Sequence, residues 1–128
     1  MASLENSPTD KISAFKQTTS YAVSAVDGKK AKGIKPPAVW EVAPGRRVVT
    51  GMCGIVDPKL GGMNVRTGSV LLPFQAKAGV RYKLEGRNDG STATMWIRNL
   101  NTNQRASSEA STSLHMQKTR MVPLPVTF

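Results

Sequence analysis

Apolar side chains recur at every second position in several short runs of this 128-residue chain. In the first run Tyr21, Val23 and Ala25 alternate with smaller or more polar residues. Runs of β-branched and aromatic residues bounded by Gly, Pro and Asn are typical of antiparallel strands. The pattern predicts an all-β, single-domain antiparallel β-sandwich of about six or seven strands with poorly structured termini. The predicted strands cover residues 19–26, 39–42, 46–53, 69–75, 80–86 and 92–99.

Glycine and proline mark the predicted turns between these strands. Asp27-Gly28 favours a type I′ turn, and Pro44-Gly45 favours a type II turn in which the glycine takes a positive φ. We expect Pro44-Gly45 to close a hairpin, and residues 76–79 to form a second β-turn before Val80. Residues 57–68, which include Gly61-Gly62, are predicted to be the longest internal loop.

The pattern is strongest in the middle of the chain and fades at both ends. It divides the chain into a flexible N-terminal segment (residues 1–18), a β-sandwich domain (19–106) and a C-terminal tail or edge strand (107–128). A chain of this length matches the usual size of one domain, about 100–150 residues.

Aromatic side chains lie within the predicted strands rather than in the loops. We therefore expect Trp40, Phe74, Tyr82 and Trp96 to anchor the core, with the Tyr82 hydroxyl near a polar partner or the surface. Aromatic side chains placed in this way do not form the exposed stacking platform on which single-strand nucleic-acid readers depend.

Positive charge is the strongest compositional signal. The 18 Lys and Arg residues against 8 Asp and Glu give a net charge of +10, which favours anionic partners. No run of five or six like charges occurs, so a diffusely cationic surface remains an alternative to a selected site. The candidate polyanion-binding residues are Lys29, Lys30, Lys32, Lys35, Arg46 and Arg47.

Residues that serve in catalysis or metal binding are scarce. The only histidine, His115, lies in the weakly patterned C-terminal region, and the only cysteine, Cys53, lies in an apolar run. A nucleophilic triad needs a positioned base, and metal sites need clusters of ligands. We therefore predict no enzyme activity, no catalytic residue, no metal site and no cofactor.

The chain contains no apolar stretch of the roughly 20 residues that a membrane-spanning helix needs, so we expect no transmembrane segment. Its first 19 residues are polar and lack the apolar core of a signal peptide. Either the protein is cytoplasmic, or the sequence is a mature form from which a signal was removed.

A series of motifs follows in order along residues 19–106. They are Val26-Asp27-Gly28-Lys29, the Pro44-Gly45-Arg46 turn, Phe74-x-Ala76-x-Ala78-Gly79-x-x-Tyr82-x-Leu84, and Trp96-Ile97 with its Asn-rich turn. This order resembles small β-sandwich modules of uncharacterised bacterial envelope proteins, many of them lipoproteins. The chain differs from them in lacking a lipidated cysteine at its start.

The resemblance implies a periplasmic or envelope location and no catalytic residues. It also implies a structural or protein-interaction role, with another envelope protein or an anionic cell-surface polymer as partner. The alternative is a cytoplasmic polyanion- or nucleic-acid-binding protein that uses the cationic candidates above.

Overall fold

A computed structural model describes residues 1–7, 10–11, 18–30, 39–59 and 62–117. Every regular element in these residues is a β-strand. In chain order the strands are β1 (Ala2–Glu5), β2 (Asp10–Lys11), β3 (Thr18–Val26), β4 (Val39–Val42), β5 (Gly45–Lys59), β6 (Gly62–Ala76), β7 (Arg81–Asn88), β8 (Thr92–Asn99), β9 (Gln104–Arg105), β10 (Ala110–Ser113) and β11 (His115–Gln117).

The strands form two sheets that pack face to face. Sheet A has the order β10-β8-β7-β1-β4, with β9 added to β8, and sheet B has the order β11-β6-β5-β3-β2. The predicted all-β sandwich is confirmed. The strands outnumber the predicted six or seven because several are only two to four residues long, too short to show a period. The sandwich is also not wholly antiparallel, because β1 and β7 run parallel.

The first strand corrects the expectation of a flexible segment at residues 1–18. β1 lies between β4 and β7, and its Ala2 and Leu4 side chains are buried in the core. At the other end of the chain, β10 and β11 are edge strands of the two sheets. This agrees with the edge strand that was one of the two alternatives for residues 107–128. The predicted boundaries at residues 19 and 106 are therefore too narrow, and residues 118–128 lie outside the described part.

The prediction of a loop at residues 57–68 is wrong for residues 57–59 and 62–68, and residues 60–61 lie outside the described part. β5 and β6 stay paired in register from Gly45 opposite Ala76 to Lys59 opposite Gly62. Glycine, proline and aspartate disfavour strands locally, but the ladder already formed by the two neighbouring strands continues through them. Sheet B therefore contains a long hairpin.

The backbone of the Pro44-Gly45 turn has the predicted conformation, but the two strands that the turn joins do not pair with each other. Gly45 has a φ of 113°, in the range that favours glycine. However, β4 pairs with β1 in sheet A, whereas β5 pairs with β3 and β6 in sheet B. The turn thus crosses between the sheets and does not close a hairpin.

The turn at residues 76–79 also crosses between the sheets, from β6 to β7. The Tyr82 hydroxyl accepts a hydrogen bond from the Lys77 amide at 2.9 Å, which ties the turn to the start of β7. The Asp27-Gly28 turn is confirmed as type I′, since both residues have positive φ and Val26 and Lys29 exchange backbone hydrogen bonds.

The core lies between the sheets, where Phe74 and Tyr82 meet edge to face with ring centroids 5.0 Å apart. Trp40 is partly buried and packs against this core. Trp96 differs from the prediction, because its neighbours Met95 and Ile97 point into the core and it points to the outer face of sheet A. It is buried there beneath the guanidinium groups of Arg105 and Arg87, 4.3 and 5.5 Å from its ring centroid.

Candidate polyanion-binding end

A carboxylate fixes two turns to each other at one end of the sandwich. Asp27 accepts hydrogen bonds from the Val48 amide at 2.8 Å and from the Arg47 guanidinium at 2.9 Å. Arg47 also donates to the backbone carbonyls of Ala43 and Pro44, at 3.0 and 2.9 Å. The Val48 amide and the Arg47 side chain hold the pKa of Asp27 below its usual value, so this clamp stays ionised at neutral pH.

A third turn lies beside these two, because Gly45 pairs with Ala76 at the ends of β5 and β6. We call residues 27–30, 43–47 and 76–81 together the basic end. Asp27 is the only acidic residue in these ranges. The basic residues are Lys29, Lys30, Arg46, Arg47, Lys77 and Arg81.

The structure brings together four of the six candidates predicted from sequence. Lys29, Lys30 and Arg46 are exposed at the basic end, but Arg47 is engaged in the clamp and has a structural role. Lys32 and Lys35 lie outside the described residues.

Sequence analysis missed two further cations at this end, Lys77 and Arg81. Arg81 forms an ion pair with Glu5 at 2.8 Å. Within the described residues no ion pair involves Lys29, Lys30, Arg46 or Lys77. These four side chains are therefore the ones available to an anion.

Two shallow hollows open at the basic end, and both are lined by hydrogen-bond donors. One, of about 290 Å³, lies against Arg46 and Gln75. The other, of about 280 Å³, is lined by Lys77, Asn99, Gln104 and Arg105 together with Gln75. No carboxylate lines either hollow among the described residues, so both favour an anionic group over a cation.

The charged residues on the outer face of sheet A are mostly paired with one another. Glu85 accepts hydrogen bonds from Arg98 at 2.6 Å and from Trp96 at 3.0 Å. Burial opposes ionisation of Glu85, but these two hydrogen bonds outweigh it and lower its pKa. Glu109 pairs with both arginines that cover Trp96, at 3.1 and 2.6 Å. This cluster therefore holds the Trp96 indole in place, and it leaves few cations on this face without a carboxylate partner.

The single cysteine and the single histidine lie on opposite faces of sheet B. Cys53 is fully buried, and burial raises its pKa to about 11, so the thiol stays protonated. His115 is exposed and pairs with Thr67, whose neighbour Gly68 pairs with Cys53. Because alternate residues point to opposite faces, the two side chains do not form a nucleophile–base pair.

The described ranges lack two further kinds of feature, a metal-binding cluster and a membrane-spanning helix. They hold no group of three or more His, Cys, Asp or Glu that could bind a metal ion. Nor does any helix of a length and hydropathy suited to crossing a membrane occur in them.

Comparisons with protein-family models, with curated proteins and with solved structures found no match to this chain. The resemblance to envelope modules thus stays a prediction from the motifs in the sequence.

Proposed function

We propose that this chain is a non-enzymatic bacterial envelope module, periplasmic or lipoprotein-like, whose basic end attaches it to an anionic polymer of the cell surface. The observation that supports the proposal is the grouping of Lys29, Lys30, Arg46 and Lys77, with no ion pair to any of them in the described residues. Charges of one sign gathered at one end raise the local concentration of a polyanion. The envelope location rests on the motif resemblance.

Among the described residues, the opposite end of the sandwich has no such excess of positive charge. There the Arg66 guanidinium donates to the Gly90 carbonyl at 2.7 Å, and Asp89 accepts hydrogen bonds from the Ser91 and Thr92 amides. Cations and carboxylates are mixed at this end, so a polyanion gains less from contact with it. The basic end is the favoured contact.

The positions of the aromatic rings favour a polymer bound by charge over a nucleic acid that is read by its bases. Phe74, Tyr82 and Trp96 are all buried, and base-stacking proteins need such rings exposed. Binding that depends on charge alone falls steeply as salt rises and is indifferent to sequence. A cytoplasmic nucleic-acid-binding role is therefore the second hypothesis.

We expect Lys30→Gln combined with Lys77→Gln to weaken binding of a fluorescently labelled oligouronate at low salt by about twofold to thirtyfold. The estimate takes about 0.2–1 kcal/mol for each exposed charge contact. Fluorescence anisotropy titration measures the affinity. The matched control is Lys11→Gln with Lys59→Gln, which removes the same net charge from strands β2 and β5 at the far end and leaves affinity unchanged.

Two results would count against the proposal. Equal weakening by both double variants would mean that net charge alone determines binding. Tight, sequence-dependent binding of a labelled oligonucleotide at physiological salt would favour the nucleic-acid hypothesis instead.

A further inference from the structure

The hollow beside Lys77 is lined by more neutral hydrogen-bonding side chains than charged ones. Its volume of about 280 Å³ is close to the lower end of the range for small-molecule pockets, about 300 Å³, so it suits one small unit of a polymer. Its cations are Lys77 and Arg105, and its neutral polar side chains, apart from the buried Tyr82, are Gln75, Asn99, Thr102 and Gln104. We call this site the amide hollow.

The turn between β8 and β9 fixes one wall of the amide hollow. The Asn99 side-chain oxygen accepts hydrogen bonds from the Asn101 and Thr102 amides at 2.9 and 3.2 Å. The Asn103 amide donates to the Asn99 carbonyl at 2.7 Å, and the Thr102 hydroxyl accepts from the Gln104 amide at 3.3 Å. Because the Asn99 side-chain oxygen is engaged, its NH₂ group is the part left to donate to a ligand. This wall is therefore preorganised, which lowers the entropy cost of binding.

Two cations of the amide hollow lie on fixed elements. The Lys77 amide donates to the Tyr82 hydroxyl at 2.9 Å, and the Lys77 side chain is exposed with no ion pair in the described residues. The Arg105 guanidinium lies over Trp96 and donates to Glu109 at 2.6 Å. A guanidinium has five N–H donors, so Arg105 keeps others for a ligand. Together the two cations favour one anionic group.

The side-chain amides of Gln75 and Gln104 distinguish between kinds of anion. Both side chains are exposed, and in the described residues only their backbone groups form hydrogen bonds. A side-chain amide has an NH₂ donor and an oxygen acceptor. The phosphate groups of a polyphosphate chain carry almost only acceptors at neutral pH, whereas a sugar hydroxyl both donates and accepts. A sugar therefore satisfies both ends of each amide, and a phosphate satisfies one.

We propose that the amide hollow binds one acidic sugar unit, with its carboxylate on Lys77 and Arg105. Its hydroxyls then exchange hydrogen bonds with Gln75 and Gln104. This inference rests on the proposed function and narrows the anionic polymer to a uronate-type polysaccharide. Gln75 also lines the second hollow and pairs with Arg46 across β5 and β6, so a neighbouring acidic unit can reach Arg46. The cations attract any polyanion, and the amides select one that carries hydroxyls.

Gln104→Leu tests this inference because it removes one amide from the hollow at constant charge. We expect it to weaken binding of a labelled oligouronate by about twofold to twelvefold, the range for one net hydrogen bond. Binding of a labelled linear oligophosphate of equal charge should not change, which also shows that the variant is folded. Fluorescence anisotropy titrations at several salt concentrations measure both affinities. The salt dependence of oligouronate binding should stay the same, because no ionic contact is lost.

Gln117→Leu is the matched control. Gln117 lies on β11 and pairs with Val65, at the other end of β6 from Gln75, so neither affinity should change. Equal weakening of both polymers by Gln104→Leu, or an unchanged oligouronate affinity, would overturn this inference and leave the proposed function in place. Failure of both polymers to bind the unmodified chain at low salt would overturn the proposed function and this inference together.

Discussion

Leu4→Ala is expected to lower the free energy of unfolding by about 2–5 kcal/mol, the usual cost of truncating a large buried aliphatic side chain. Leu4 has no exposed surface. Its strand, β1, is hydrogen-bonded to β4 on one side and to β7 on the other. The cavity would therefore open inside sheet A between β4 and β7, and both of these strands are held to β1 by backbone hydrogen bonds.

Chemical denaturation followed by tryptophan fluorescence measures this loss. The control is Val39→Ala, which shortens an aliphatic side chain that is 51% exposed on the adjacent strand. We expect that change to cost less than about 0.5 kcal/mol. An equally small cost for Leu4→Ala would mean that residues 2–5 are not part of the core.

Gly86→Ala is expected to destabilise the protein by about 1–3 kcal/mol or more through overpacking. A Cβ atom at Gly86 would lie 2.5 Å from Cε1 and 2.6 Å from Cδ1 of Tyr21, and 3.0 Å from the Thr94 carbonyl oxygen. The Tyr21 ring is buried, and its hydroxyl accepts a hydrogen bond from Asn88 at 2.9 Å. The ring is therefore held over Gly86 and cannot readily move aside.

Two further variants distinguish this clash from a general intolerance of alanine in strands. Gly54→Ala should be nearly neutral, because its Cβ would come no closer than 3.7 Å to the Ser20 hydroxyl. In a Tyr21→Ala background the cost of Gly86→Ala should fall by at least about 1 kcal/mol, a coupling typical of residues in contact. Additive costs in the denaturation cycle would refute the proposed contact.

The sequence predicted those parts of the fold that depend on local alternation and turn chemistry. β3 alternates strictly between buried and half-buried residues, and Asp27-Gly28 and Gly45 adopt the expected backbone. Local chemistry bends the chain at Pro44-Gly45, but it does not determine which strands pair beyond the bend. Long-range pairing assigns β4 and β5 to different sheets, so the predicted hairpin was wrong.

Two other errors have similar physical causes. β1 has only two inward residues, Ala2 and Leu4, so its alternation is too short to stand out from a polar segment. Trp96 lies between two core residues in a continuous apolar run, and its outward direction depends on cover from Arg105, which belongs to another strand.

The candidate site was predictable only where its residues are close in sequence. Lys29 and Lys30 follow the Asp27-Gly28 turn directly, and they lie near Arg46 because Asp27 binds Val48 and Arg47 on β5. Lys77 joins them because Gly45 pairs with Ala76, a contact for which the sequence has no local signal.

The binding role of the basic end is tested most directly by mapping amide chemical shifts of the ¹⁵N-labelled full chain during titration with an oligouronate at low salt. The account predicts that the largest changes fall on Lys29, Lys30, Arg46 and Lys77, and that they disappear as salt rises. Changes of similar size throughout the chain, or larger ones around Arg66 and Gly90 at the opposite end, would contradict it.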